Sequence, residues 1–335
     1  MNSSTTNQRR AFLQTSVSAA LLAGFGSRAL AADASVDAMR VICGFPAGSS
    51  ADITSRKVAE RLASDGFAGS AVVENKAGAG GQLAVQFVKG QPADGRTLLL
   101  TPMSMLGIYP HTYQKLPYDP VNDVVPVSLG STFDFGIAVG PAVPDAVKTL
   151  KDYLQWVKSD ATKAVFGGPA AGASPHFIGV LLGRSAGVDL THVAYRGSVP
   201  AFLDVLSGQI PAAIGPIGDA IRHTGQPKYR VLASTGAARS AFAPDVATLS
   251  ELGFKDMVFN EWYGFFLPRG ASPELVQKMS VAIKKAVENP DTIKSFALLG
   301  LESKSSSPAE LAALLKRDTA RWAPIVKAVG FTADS

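Results

Sequence analysis

Short apolar runs alternate along the chain with stretches of helical periodicity. Met39–Cys43 reads as a strand, and beyond a Gly/Ser turn Ala51, Ser55, Val58 and Leu62 fall on one helical face. Residues 71–74 form a second strand. After the turn at 78–81, Leu83, Phe87 and Val88 mark another helix, and residues 97–100 a buried strand. Strands that alternate with helices in this way predict a parallel sheet with helices packed on it.

The middle of the chain repeats the theme. Leu150, Tyr153, Leu154 and Val157 are spaced as one helix face, followed by a strand at 164–166, a small-residue loop at 167–173 and a helix starting near Ser174. Residues 190–194, 210–214 and 229–233 read as strands, and Val199, Phe202, Leu203 and Leu206 as a helical stripe. An aromatic-rich strand at 259–266 then leads into the C-terminal helices. Ser272-Pro273 opens the first, and the capping box from Ser307 to Glu310 opens the last, which Pro324 is expected to bend or interrupt. At 335 residues the chain exceeds one compact core, so two domains are expected. No floppy linker separates the α/β units, which implies crossing strands with a cleft between the domains.

Composition excludes disorder, since 47% of residues are hydrophobic and 18% charged. Residues 1–31 resemble a twin-arginine export signal. Arg9-Arg10 precede Phe12-Leu13, an apolar stretch too short to span a bilayer follows, and Ala29-Leu30-Ala31 fits a cleavage site. The expected location is therefore the periplasm, in soluble form. The net charge of +5 includes Arg9, Arg10 and Arg28. Without them 29 basic residues face 27 acids, which gives no reason to expect nucleic acid. Cys43 has no disulfide partner and reads as a buried strand residue.

Signals of catalysis are weak. There is no G-x-S-x-G elbow, Walker loop or H-E-x-x-H, and Leu83 breaks the glycine spacing a dinucleotide loop needs. The four histidines lack metal spacing, so neither metal nor cofactor is expected. Ser174 and His176 read as cap and scaffold, with a serine hydrolase as the remote alternative. Two strand-to-helix turns are better candidates. Residues 44–52 and 167–174 are built of small residues, and each points a helix N-terminus at whatever enters. In open α/β sheets ligands lie at this end of the strands. Arg196, at the end of a further strand, could pair with a carboxylate.

Five segments together resemble the Bug-type solute receptors of tripartite tricarboxylate transporters: FPAGSSAD from Phe45, VENKAGAGG from Val73, LPYDP from Leu116, HVAYRGS from His192 and WYGFF from Trp262. The resemblance runs in order over essentially the whole mature chain. It implies an α/β, two-domain periplasmic-binding-protein (Venus-flytrap) fold, with a ligand cleft between domains joined by crossing strands near 127–136 and 259–266. The domains expected are 32–132 plus 262–335, and 133–261. It implies no catalysis, no cofactor, a monomer, a small organic carboxylate ligand and a membrane permease as partner, with a sensor for a signalling system as the alternative output. Ligand contacts carried over are Phe45, Ala47, Gly48, Ser49 and Asp52 in the first loop, and Thr101, Met103 and Ser104 after the third strand. From the second domain come Gly172, Ala173, Ser174, Tyr195, Arg196 and Asp219. The carboxylate is expected on the backbone of Ala47, Gly48 and Ser49. The chain departs from the family where Ser49 replaces a second glycine and where Pro102, Met103, Met105, Phe133 and Phe135 make the surroundings apolar. These departures are compatible with a carboxylate on an apolar or aromatic body, and the ligand expected is an aromatic acid or a dicarboxylate.

Overall fold

The computed structural model describes residues 36–333, so the export signal expected at 1–31 lies outside the described residues. Strand β1 (Met39–Cys43) is flanked in parallel by β2 (Ala71–Asn75) and β3 (Thr97–Pro102). Helix α1 (Ser50–Ser64) connects the first pair, and α2 (Gln82–Lys89) leads back to β3. Ser49 starts α1 by accepting the Asp52 N–H, and the buried stripe Ala51, Val58, Ala59 and Leu62 holds it down. Directly after β3 the chain turns into two short helices, α3 (Met103–Gly107) and α4 (Tyr109–Thr112).

The chain then crosses in β4 (Val124–Val139), a strand of 16 residues. Beyond it lie α5 (Leu150–Lys158), β5 (Val165–Pro169), α6 (Ser174–Ala186), β6 (Thr191–Tyr195) and α7 (Ser198–Ser207). Next come β7 (Ala212–Pro216), α8 (Ile217–Ile221) and β8 (Arg230–Ser234). The return strand is β9 (Asn260–Pro268). It is followed by α9 (Pro273–Val287), α10 (Pro290–Ala297), β10 (Glu302–Ser303) and α11 (Pro308–Val329).

One strand serves both lobes. Residues Val124 to Asp134 of β4 pair antiparallel with β9, which pairs in turn with β3. From Phe135 on, β4 lies between β7 and β8 instead. β5 continues the second lobe parallel to β7 and β6. The carboxyl ends of β1, β3, β5 and β7 and the loops after them therefore converge where β4 changes partners.

Pro324 does not interrupt α11, which runs as one helix of 22 residues. Pro324 and Ala320 are both exposed, so the carbonyl deprived of its N–H partner faces solvent. Leu311, Trp322 and Val326 bury the opposite side. No helix among the described residues is long and apolar enough to cross a membrane.

Candidate functional site

The loop after β1 is held by its own side chains. Gly48 has φ of +81°, a left-handed conformation that glycine adopts without strain. Its N–H donates to Asp52 Oδ2 at 2.9 Å, where Arg56 Nε also donates, while Asn75 Nδ2 donates to Asp52 Oδ1 at 2.8 Å and to the Phe45 carbonyl at 2.9 Å. Burial alone would raise the Asp52 carboxyl, but these three donors outweigh it and leave it below the usual carboxylate value. Ser49 Oγ donates to the Pro46 carbonyl, and the Ser49 N–H reaches the same oxygen at 3.3 Å. The Gly48 and Ser49 amides are thus engaged within the loop. The N–H groups of Ser50 and Ala51, at the start of α1, have no protein partner among the described residues, and both residues line a cavity.

That cavity, of about 40 Å³, lies where the two lobes meet. The first lobe contributes Phe45, Ser49, Ser50, Ala51, Pro102, Ser104 and Met105; the second contributes Ala170, Ala173, Pro175, Gly197, Ser198 and Pro216. The crossing strands add Phe133, Phe135, Glu261 and Tyr263. Phe133 packs against both Phe135 and Tyr263, with ring centroids 5.7 and 4.7 Å apart.

One buried carboxyl lines the cavity and a second stands behind its wall. Glu261 Oε1 accepts the Ser104 N–H at 2.8 Å and the Ser104 hydroxyl at 2.6 Å. Ser104 Oγ also accepts the Ser174 N–H at 3.2 Å and lies 3.0 Å from Ser174 Oγ, so the chain Ser174–Ser104–Glu261 bridges the lobes. Complete burial raises the Glu261 carboxyl, and the Ser104 and Ser174 contacts only partly offset it. Asp219, at the start of α8, accepts from the Ser198 hydroxyl and from Arg222 at 3.2 Å; burial raises it too. Ser50 Oγ and the Tyr263 hydroxyl, 2.9 Å apart, join α1 to β9.

Of the residues expected at the ligand, Phe45, Ser49, Ser104 and Ala173 line the cavity, and Ser174 touches it through Ser104. Asp219 stands behind Ser198. Ala47, Tyr195 and Arg196 line an adjoining groove of about 550 Å³ that shares Ser49 and Gly197 with the cavity. Thr101 and Met103 are buried without lining either space. Gly48 and Asp52 shape the first loop. Gly172, at φ +74°, shapes the second, where its N–H donates to His176 Nδ1 and a Cβ would stand 2.4 Å from Thr112.

Sequence reasoning missed Ser50, Ser198, Tyr263 and Glu261. The last carried a signal: an acid set among the apolar and aromatic residues of a strand. Among the described residues the hydrolase alternative finds no histidine base at Ser174. Ser174 Oγ meets Ser104, whereas His176 Nδ1 is occupied by Gly172 and its ring stacks on His192. Among the described residues no group of three His, Cys, Asp or Glu is placed to hold a metal ion.

Residues 54–331 match the family described as the tripartite tricarboxylate transporter family receptor, TctC. A protein of Cupriavidus necator named for its place in the gbd 5′ region is 32% identical over 300 residues, covering 88% of this chain and 90% of that one. The solved structure of the periplasmic binding protein BugD superposes with a TM-score of 0.82 at 26% identity, over 88% of this chain and 98% of that one. MatC from Rhodopseudomonas palustris, solved with bound malate, gives 0.80 at 26% identity, over 87% of this chain and 99% of that one.

Proposed function

The chain belongs to the tripartite tricarboxylate transporter receptor family, and from that premise we propose that it captures a small organic carboxylate in the cavity between its lobes and delivers it to a membrane permease. It is a solute-binding receptor of the Bug type, not an enzyme. Delivery implies a place outside the cytoplasmic membrane, reached through the twin-arginine-like leader. The observation that carries the reading is that Ser50 and Ala51, whose amides have no partner among the described residues, line a cavity bounded by both lobes. A helix N-terminus offers N–H groups and a positive dipole end to an anion. The malate bound to MatC supports a carboxylate as the class. The apolar walls formed by Phe45, Met105, Phe133 and Phe135 favour an acid with an apolar portion.

A thermal-shift screen of aliphatic and aromatic acids identifies a ligand, and calorimetry on two variants then locates its carboxylate. Ser50 is the first residue of α1, where proline fits the backbone and the preceding Ser49 is already extended. Ser50→Pro removes the amide proton together with the hydroxyl; Ser50→Ala removes the hydroxyl alone. The proline variant should lose about 1.5–3 kcal/mol more binding energy than the alanine variant, the worth of a hydrogen bond to a charged group. Equal losses in the two, or no stabilisation by any acid, would overturn the reading.

A further inference from the structure

Glu261 is the one buried carboxyl at the cavity whose surroundings leave half of it unused. It sits on β9 with 3% of its surface exposed. Both Ser104 donors converge on Oε1, the Ser174 hydroxyl also acts on the carboxyl, and no described group lies within hydrogen-bond distance of Oε2. Asp219 differs, since Ser198 and Arg222 occupy both of its oxygens. Among the described residues no cation pairs with Glu261, and the charge acting on it from α11 is the acid Asp318, itself paired with Arg317. The other titratable groups nearby are Tyr263 on β9, Tyr109 on α4 and Asp219 on α8. Burial holds both tyrosines above their ordinary range, so neither titrates near neutrality.

A carboxyl buried without a cation keeps its proton rather than its charge. Two acceptor contacts on Oε1 leave Oε2 as the oxygen to carry it. Glu261 and Tyr263 lie two apart on one strand and share a face, and Tyr263 touches Ser50 at the start of α1. The amides of α1 and the Glu261 carboxyl therefore address one cavity.

We propose that Glu261 supplies a proton to the ligand: Oε2–H donates a hydrogen bond to a second acceptor group on an organic acid whose first carboxylate rests on the Ser50 and Ala51 amides, so that a dicarboxylate is held together with one proton. This deepens the carboxylate-receptor reading above and rests on it. Two carboxylates held face to face with no cation between them resist ionising together, so the pair binds a single shared proton. Capture of a dianion is then linked to pH. Raising the pH removes the shared proton and weakens binding, while an acid with a single carboxylate and no second acceptor escapes the effect.

The test is calorimetric titration of wild type and Glu261→Gln with malate and with benzoate. It runs over roughly pH 6 to 9, where malate stays a dianion. Glutamine keeps the shape and a permanent donor but cannot lose it. For wild type, the malate dissociation constant should rise by about tenfold per pH unit once Glu261 ionises, while Glu261→Gln binds malate with no such slope. Parallel pH profiles in the two proteins would overturn the proposal, as would loss of malate binding in a Glu261→Gln variant whose thermal transition is unchanged. Benzoate binding without malate binding removes the second-acceptor claim and leaves the carboxylate reading standing. Binding of neither acid to either protein counts against that reading, and the proposal falls with it.

Discussion

Two histidines show how far a residue's neighbours can move its chemistry. His176 on α6 and His192 on β6 stack with ring centroids 4.6 Å apart. Burial pushes His176 down to about 4; burial, then the neighbouring ring, push His192 down to about 3. Both are therefore neutral in the folded protein at neutral pH, while in the unfolded chain they take up protons near the ordinary value of about 6.5. Protonation favours the unfolded state, so their contribution is complete above that value and is lost as pH falls from there towards 4 and 3. Nuclear magnetic resonance titration of the ring protons should show both midpoints well below 6.5; ordinary midpoints would mean that the pair is solvated. The sequence marked His176 as scaffold and Ser174 as a cap; the cap position is Ala173 and Ser174 opens α6 instead, while nothing in the sequence announced His192 as the stacking partner. That contact depends on two elements meeting in space. Glu261 was legible as an oddity of its strand, whereas its role needed Ser104 and Ser174 to arrive from both lobes.

At the scale of elements, periodicity located most strands and helices because each buries one face. The short helices α3 and α4 escaped it, since a run of five or four residues has too little length to display a period. The same limit hid α8, which carries Asp219. Segments that carry the family resemblance prove to be ties between elements. Asn75 fastens the first loop, and Tyr118 donates to the Met105 carbonyl at 2.6 Å, holding the turn after β3. The last helix, α11, is anchored in the same manner. Trp322 is buried against Phe177 and Phe259, and Asp318 accepts the Trp262 indole N–H at 2.8 Å. Trp322→Ala should therefore cost about 3–5 kcal/mol of stability, as large aromatic truncations do. Urea unfolding measures it, and a loss within the error of that method would show that α11 is held by its other contacts.

For the whole molecule, the size of the cavity sets the mechanism. A space of about 40 Å³ suits a few water molecules rather than an organic acid. Parting of the lobes to admit one would break the Ser174–Ser104 contact, together with the Tyr113 hydroxyl on the Ala171 carbonyl and the packing of Trp322 on Phe177. Rotation of that kind is the hinge closure of two-lobed receptors. X-ray scattering should give a larger radius of gyration without ligand than with a saturating acid; identical curves would mean that ligand enters without lobe movement. The motion has a natural pivot where β4 leaves β9 for β7 and β8, between Asp134 and Phe135.

The exchange of partners within β4 also bears on how such a chain can be rebuilt. Asp134 and Asn260 are opposite rungs of one antiparallel ladder, so the polypeptide leaves the first lobe and re-enters it at points separated by a single strand spacing, ~4.8 Å. Everything between them is an insertion with adjoining ends. Such a piece meets the host with adjoining ends, so a relative's can be spliced at those two rungs provided that its α6 keeps the face that packs on α11.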